Sequence, residues 1–409
     1  MIGETKMSHT CVTAAFALAS ILIVPAAAHA QDAVAFQINR QHSGAALFPQ
    51  GLKLPLSQIW TRNLGGLTDY PLIAEGKVFV SAAQNDGGAY GTNLFALDAA
   101  TGATVWEKPI PGTYYQSLAA YDNGTIYVIN YDGVLSALKA STGKQLWQIQ
   151  VPTQSSFASP PTASNGFIYI NGAGSGGTLF ALREADGSVA WSASTQGGLW
   201  SAPTLSEDGV FVSYACVDYE FDAVTGAPRW QATGGCSRAG GGTAALYDQL
   251  LFTSGLLNDA HGSGQLAYSG KVELHLPNLS DTYAYQRGVG FSYPPALQAG
   301  IGYYVTANGL DAISVPANQK LWHFAGDKNL SPAAIVVNGT VMVASALGNF
   351  YVLDGQTGTL QQQITLPAGT QAPEGGVPNA LAAGDGIIAV PYEQSVTVFT
   401  GASNQPARK

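Results

Sequence analysis

The chain has 409 residues, of which 49 are Gly and 21 Pro, with 17 Lys plus Arg, 26 Asp plus Glu and a formal net charge of −9. A charged fraction of 11%, far below the usual share of about 25%, excludes a coiled coil or charge-rich helical protein, and the acidic balance gives no electrostatic basis for binding nucleic acid. A hydrophobic fraction of 46% excludes a disordered chain, which lacks the apolar groups that offset ordering entropy; abundant Gly and Tyr suit a turn-rich all-β protein.

In chain order, residues 1–30 read as a secretory signal. An apolar stretch over residues 12–28 follows Lys6 and ends in Ala28-His29-Ala30, an A-x-A cleavage pattern. The stretch is short for a membrane span, and Cys11 precedes it rather than standing at the cleavage point. No later segment offers a run long and apolar enough for a transmembrane segment, so the chain is expected to be exported, periplasmic or secreted. Removing the signal leaves two of the three cysteines, Cys216 and Cys236, an even number for an oxidising compartment. Residues 31–53 read as an N-terminal lead-in, 54–401 as the folded body and 402–409 as a tail.

A period of about 40–50 residues then organises the chain, the range in which repeat architectures fall. Ala96-Leu-Asp-Ala-Ala-Thr-Gly-Ala-Thr-Val-Trp106 recurs at Ala137–Trp147, Ala181–Trp191 and Glu220–Trp230. Residues 352–362 keep the Thr-Gly turn but end in Gln362, and a weaker copy ends at Trp322 with Ala317-Asn318 where Thr-Gly would stand. Between Trp230 and Trp322 there is room for one further unit, whose eroded anchor is expected at Tyr283 or Tyr285. Trp60 stands alone ahead of the first complete unit. Each unit reads as four short antiparallel strands, A to D, with Gly supplying the positive φ of the C–D turn and the Trp carried on strand D. Four-stranded units at this period are β-propeller blades.

Eight anchors predict an eight-bladed β-propeller of four-stranded antiparallel blades; the alternative is seven blades, with the Tyr283 region as an insertion. Trp60 has no strands A to C before it, while residues 380–383, 386–391 and 395–399 have no strand D after them. The N-terminal strand is therefore expected to join the C-terminal blade, closing the ring and hiding two sheet edges.

The A-x-D-x-x-T-G-x-x-x-W motif resembles the PQQ-type repeat of the quinoprotein-alcohol-dehydrogenase-like propellers, and Phe36-Gln-Ile-Asn-Arg-Gln-His-Ser-Gly44 is similar to the way many such domains begin. The resemblance covers nearly all of the exported chain. It implies that Trp60, Trp106, Trp147, Trp191, Trp230 and Trp322 dock blade on blade. Catalytic members carry a disulfide between adjacent cysteines, a Ca²⁺ held by acidic and amide side chains, and often a haem domain. Here the cysteines are separated and no Cys-x-x-Cys-His occurs, so no catalytic residue and no cofactor is expected, with PQQ and Ca²⁺ as the alternative. The non-catalytic relatives it resembles are BamB-type scaffold propellers.

The cysteines fit a structural disulfide instead. Cys216 falls at the B–C turn of the fourth blade and Cys236 in its link to the fifth, connections that emerge on one face, and the bridge would close a loop worth about 3 kcal/mol. Gly172-Ala-Gly-Ser-Gly-Gly177 matches a dinucleotide fingerprint but is followed by a strand, not the helix such a site needs. His42, His261, His275 and His323 show no ligand spacing and read as loop or surface histidines. The face carrying the B–C and D–A loops is the expected binding surface, with Tyr115, Gln116, Trp200 and Arg238 as ligand candidates. Asn123-Gly-Thr125 and Asn338-Gly-Thr340 match a glycosylation pattern, but stand where A–B hairpins need Asn-Gly turns. The expected function is an exported, monomeric, non-catalytic binding or scaffold propeller for a protein or carbohydrate ligand; the alternatives are a PQQ-dependent oxidoreductase or its remnant, and a carbohydrate-binding propeller.

Overall fold

The computed structural model describes residues 31–84, 90–174, 176–214, 217–233, 242–253, 263–275, 294–306, 308–315, 317–367 and 380–402, and among them every regular element is a β-strand. These strands form eight antiparallel blades. Blade 1 runs from strand A (Leu72–Ala74) through B (Lys77–Ala83) and C (Gly91–Asp98) to D (Thr104–Pro111). The A strands of blades 2 to 7 are Ser117–Asp122, Thr162–Ser164, Thr204–Leu205, Ala245–Tyr247, Ala296–Gln298 and Ile335–Val337. Their D strands are Gln145–Gln150, Val189–Thr195, Pro228–Thr233, Val272–His275, Gln319–Phe324 and Leu360–Thr365. Blade 8 takes Ala382–Gly384, Ile387–Tyr392 and Ser395–Gly401 from the C-terminal end and its D strand, Leu56–Asn63, from the N-terminal end, with Trp60 opposite Val398. The eight-bladed, N-to-C closed ring read from the repeats is the observed architecture.

Burial explains the strand composition. The A strands touch their neighbours around the axis, and both faces of A and B are covered by adjacent blades. Strand A of blade 7, Ile335–Val337, is wholly buried, as are Ile168 and Ile170 in blade 3, so these strands are unbroken apolar runs. The outermost D strands alternate exposed and half-buried residues, as in Gln145–Gln150. Asn123-Gly124 (φ 44° and 80°) and Asn338-Gly339 (φ 49° and 80°) form the A–B turns of blades 2 and 7, with both central residues left-handed. The glycine-rich run near residue 175 is a B–C hairpin: Phe167–Gly174 pairs antiparallel with Gly176–Arg183.

Blade 5 differs from its expected anchor. Its D strand is Val272–His275, upstream of Tyr283 and Tyr285, which lie outside the described residues, and Leu274 takes the register place opposite Gly264 that Trp106 takes opposite Ala96 in blade 1. The signal is the Ser269-Gly270 turn, which the missing Trp disguised.

Residues 31–46 are bound into the ring. They circle the axis in blade order at the A–B turn end of the A strands. Asp385 N–H, just past strand A of blade 8, donates to Gln31 O (3.2 Å), and Ala33 exchanges hydrogen bonds with Ile73 of blade 1. Tyr121 N–H of blade 2 donates to Val34 O, and Arg40 Nε donates to Ala163 O of blade 3. Leu205, Leu246, Leu297 and Val336 of blades 4 to 7 donate their N–H to the carbonyls of Arg40, Gln41, Ser43 and Gly44 (2.8–2.9 Å). Ala45–Ala46 then pairs in parallel with blade 7.

Candidate functional site

The repeated motif builds one local device. In Asp98, Asp222 and Asp354 the carboxylate Oδ1 accepts from the N–H and hydroxyl of the Thr three residues on (2.8–2.9 Å), closing the C–D turn. A register shift at the start of strand D, where Leu97 pairs with Thr104 but Ala96 with Trp106 in blade 1, stands beside the Trp that docks on the next blade. Trp60, Trp106, Trp147, Trp191, Trp230 and Trp322 donate Nε1–H to Ala99, Ala140, Glu184, Ala223, Ala267 and Gly355 O, at 2.7–3.0 Å, each in the C–D turn of the following blade. The turn glycine rests on the indole face: a Cβ on Gly226 would lie 2.5 Å from Trp191. These indoles therefore face neighbouring blades rather than a ligand.

On the loop face, Tyr115 stands in a row of rings. Centroid separations are 5.1 Å from Tyr90 to Tyr115, 6.3 Å to Tyr114 and 4.9 Å on to Tyr131. Gln116 turns inward, buried, with Nε2 unpartnered. Trp200, half-buried and left-handed (φ 63°), belongs to the loop between blades 3 and 4, away from that row. Arg238, Cys216 and Cys236 lie outside the described residues, and so does His261.

His42 corrects the surface reading of the histidines. It is fully buried in the N-terminal segment, with Nδ1 2.7 Å from Phe36 O and Nε2 3.0 Å from Pro203 O. Burial pulls its pKa below the ordinary value, so the neutral ring donates from one nitrogen only. His323 is partly exposed and pairs with Asp311 (2.7 Å).

Two carboxyls are buried near the loop-face ends of their blades. Burial raises Asp69 well above the carboxylate range, against a hydrogen bond from the Ser117 backbone. Burial also pushes Asp218 up to about 6, although Gln265 donates to its Oδ2 at 2.6 Å. They belong to different inter-blade seams, blades 1–2 and 4–5. Among the described residues no three His, Cys, Asp or Glu side chains converge as metal ligands. Ca²⁺ demands several converging oxygens, typically with more than one carboxylate, and Asp69 and Asp218 are not brought together.

Sequence spacing missed the polar seam at the opposite end of the channel. Arg40 of the N-terminal segment pairs with Asp122 of blade 2. Burial, and next the adjacent Asp122, push Glu184 of blade 3 up to about 8. Near blade 4 a cavity of about 460 Å³ is floored by Tyr219 and Phe221. Arg229 in its wall already binds Asp208, Glu220 and Asp222 (2.9 Å each), leaving it committed to those carboxylates.

A family model described as outer membrane protein assembly factor BamB matches residues 91–178 and 154–272, the segments that carry the Trp-and-turn repeats. The chain is a β-propeller whose repeats over those residues are similar to the PQQ type. The propeller is also 26% identical over 349 residues to the dehydrogenase subunit of a quinone-dependent alcohol dehydrogenase from Gluconacetobacter polyoxogenes, covering 74% of this chain but only 42% of that relative. Its fold matches a europium-containing methanol dehydrogenase (TM-score 0.71, 14% identity, 88% of this chain and 89% of that one). It matches BamB from Moraxella catarrhalis as well (TM-score 0.62, 18% identity, 85% of this chain and all of that one). At these identities the structural matches describe the fold alone.

Proposed function

We propose that this propeller is a non-catalytic scaffold, exported to the cell envelope, that presents its loop face to a protein partner and works without PQQ. One observation carries the reading: residues 31–46 bind the A strands or A–B turns of all eight blades, so the A–B end of the channel is occupied by the chain itself and the loop face is the open one. The resemblance to BamB over the repeats supports a protein partner, and the dispersed carboxyls Asp69 and Asp218 support the absence of a metal-assisted centre. No helix among the described residues is long and apolar enough to cross a membrane.

The reading is tested by placing a photo-crosslinking residue at Tyr114, on the loop face, and at Val224, on the turn face, in the native host. A defined adduct from Tyr114 and none from Val224 is expected. The 26% identity to a quinone-dependent dehydrogenase favours a second reading, an oxidoreductase. Saturable PQQ binding with Ca²⁺, accompanied by dye reduction on adding an alcohol, would overturn the scaffold.

A further inference from the structure

We infer that Tyr90, Tyr115, Tyr114 and Tyr131 form a stacking platform for a neutral oligosaccharide. The four rings come from two blades. Tyr90 precedes strand C of blade 1, Tyr114 and Tyr115 lie in the loop from blade 1 to blade 2, and Tyr131 opens the B–C turn of blade 2. Successive centroids are 4.9–6.3 Å apart with planes inclined by 33–49°, so the rings form a continuous tilted row. Tyr90, Tyr114 and Tyr115 are 53%, 44% and 36% exposed. Blade packing leaves these faces uncovered, and a contiguous exposed aromatic patch marks a binding surface.

The row is held in place before any ligand arrives. Asp132 accepts from Thr113 N–H (2.6 Å) and from the Thr113 hydroxyl, tying the loop that carries Tyr114 to the turn that carries Tyr131. Asn130 locks the same turn, its Oδ1 accepting from Val134 N–H and its Nδ2 donating to Pro111 O (2.7 Å each). Binding to such a platform loses little loop entropy.

The surrounding chemistry selects the ligand class. Segments 84–91, 111–116, 130–133 and 151–157 contain no Lys or Arg, which removes the partner that a phosphate or nucleic acid requires. Among their described residues Asp132 has both oxygens engaged by Thr113 and serves as the clasp of the loop. An apolar peptide anchor needs a desolvated pocket, whereas these rings stand on the surface with hydroxyl tips. A pyranose combines apolar C–H faces with a rim of hydroxyls, and tyrosine meets both, ring face to C–H face and phenol to hydroxyl. Several rings in a row suit several sugar units.

This goes beyond the scaffold reading, and the two can fail separately. Full-length protein is screened on an array of neutral glycans, and the strongest binder is titrated by calorimetry against the unmodified chain, Tyr114→Ala, Tyr115→Ala and, as a variant remote from the row, Tyr268→Ala. Saturable binding that weakens at least about tenfold in Tyr114→Ala and Tyr115→Ala, with Tyr268→Ala and all melting temperatures unchanged, is expected. Absence of any neutral glycan ligand overturns the proposal, as does binding that survives both substitutions. So does a proline-rich decapeptide that binds the row in place of the glycans. Crosslinking of a protein partner from the loop face would persist in any of those cases.

Discussion

At Gly226 two demands meet. Its φ of 71° is left-handed, and the space where a Cβ would sit holds the Trp191 indole at 2.5 Å. Gly166 has the same backbone need (φ 84°) but nothing within 4 Å. Gly226→Ala is therefore expected to cost about 2–5 kcal/mol, backbone strain plus overpacking, and Gly166→Ala about 1–2 kcal/mol of strain alone. Denaturant midpoints of the two variants check this; equal losses would show that the indole yields freely. The same contact accounts for two departures from the repeat. In blade 6 the turn carries Asn318 (φ 51°) in place of Gly, and the facing D strand of blade 5 has Leu274 at the Trp register. Where the indole is gone, the glycine is no longer required. Sequence reading recognised the Gly as a turn former and the Trp as a docking residue, but not that each Gly serves the Trp of the preceding blade. That relation runs between units and is invisible within one.

Among the elements, the N-terminal segment was the least legible. Its composition resembles a loop, because its hydrogen bonds go to seven different A strands and the A–B turn of blade 8 rather than to one partner with a readable period. His42 sits at its centre, and burial holds its pKa below 6.5. The folded state then binds fewer protons than the unfolded state below that value, so this contribution to stability is complete above pH 6.5 and is lost as pH falls. Hydrogen exchange of residues 33–46 is expected to quicken, relative to the intrinsic rate, between pH 7.5 and pH 5, ahead of the blade strands. Uniform loosening of the whole chain would contradict a local role. Gln362 is the other telling element-level feature. Blade 8 takes strands C and D from opposite ends of the chain, so it offers no C–D turn for a Trp to dock on. Gln362 instead clasps the Leu56 backbone, its Oε1 accepting from Leu56 N–H (2.7 Å) and its Nε2 donating to Leu56 O (3.0 Å).

For the whole molecule, stability rests on circular closure. Leu56–Asn63 pairs with Ser395–Gly401, and that seam joins the N-terminal and C-terminal parts of the chain within blade 8. Truncation before Ser395 removes the partner of Leu56–Asn63 and exposes a strand edge on blade 8. Loss of a single cooperative thermal transition, with dimers or aggregates by light scattering, is expected. A monomer melting in one sharp step would show that seven closed neighbours suffice. The architecture was largely readable because each blade obeys a local rule: apolar inner strands, left-handed turns and an anchor at a constant offset. The candidate site was readable only in part. Tyr115 stood out as an aromatic on a loop, whereas Tyr90, Tyr114 and Tyr131 gained meaning only as its neighbours.

The sequence by itself determined the blade, its number and the joining of the chain's two ends, since repeats record their packing through spacing. Only the tertiary structure decided which channel end the N-terminal segment occupies and which tyrosines stand together. Both depend on residues far apart in the chain meeting across blades, and such meetings leave no period along the sequence.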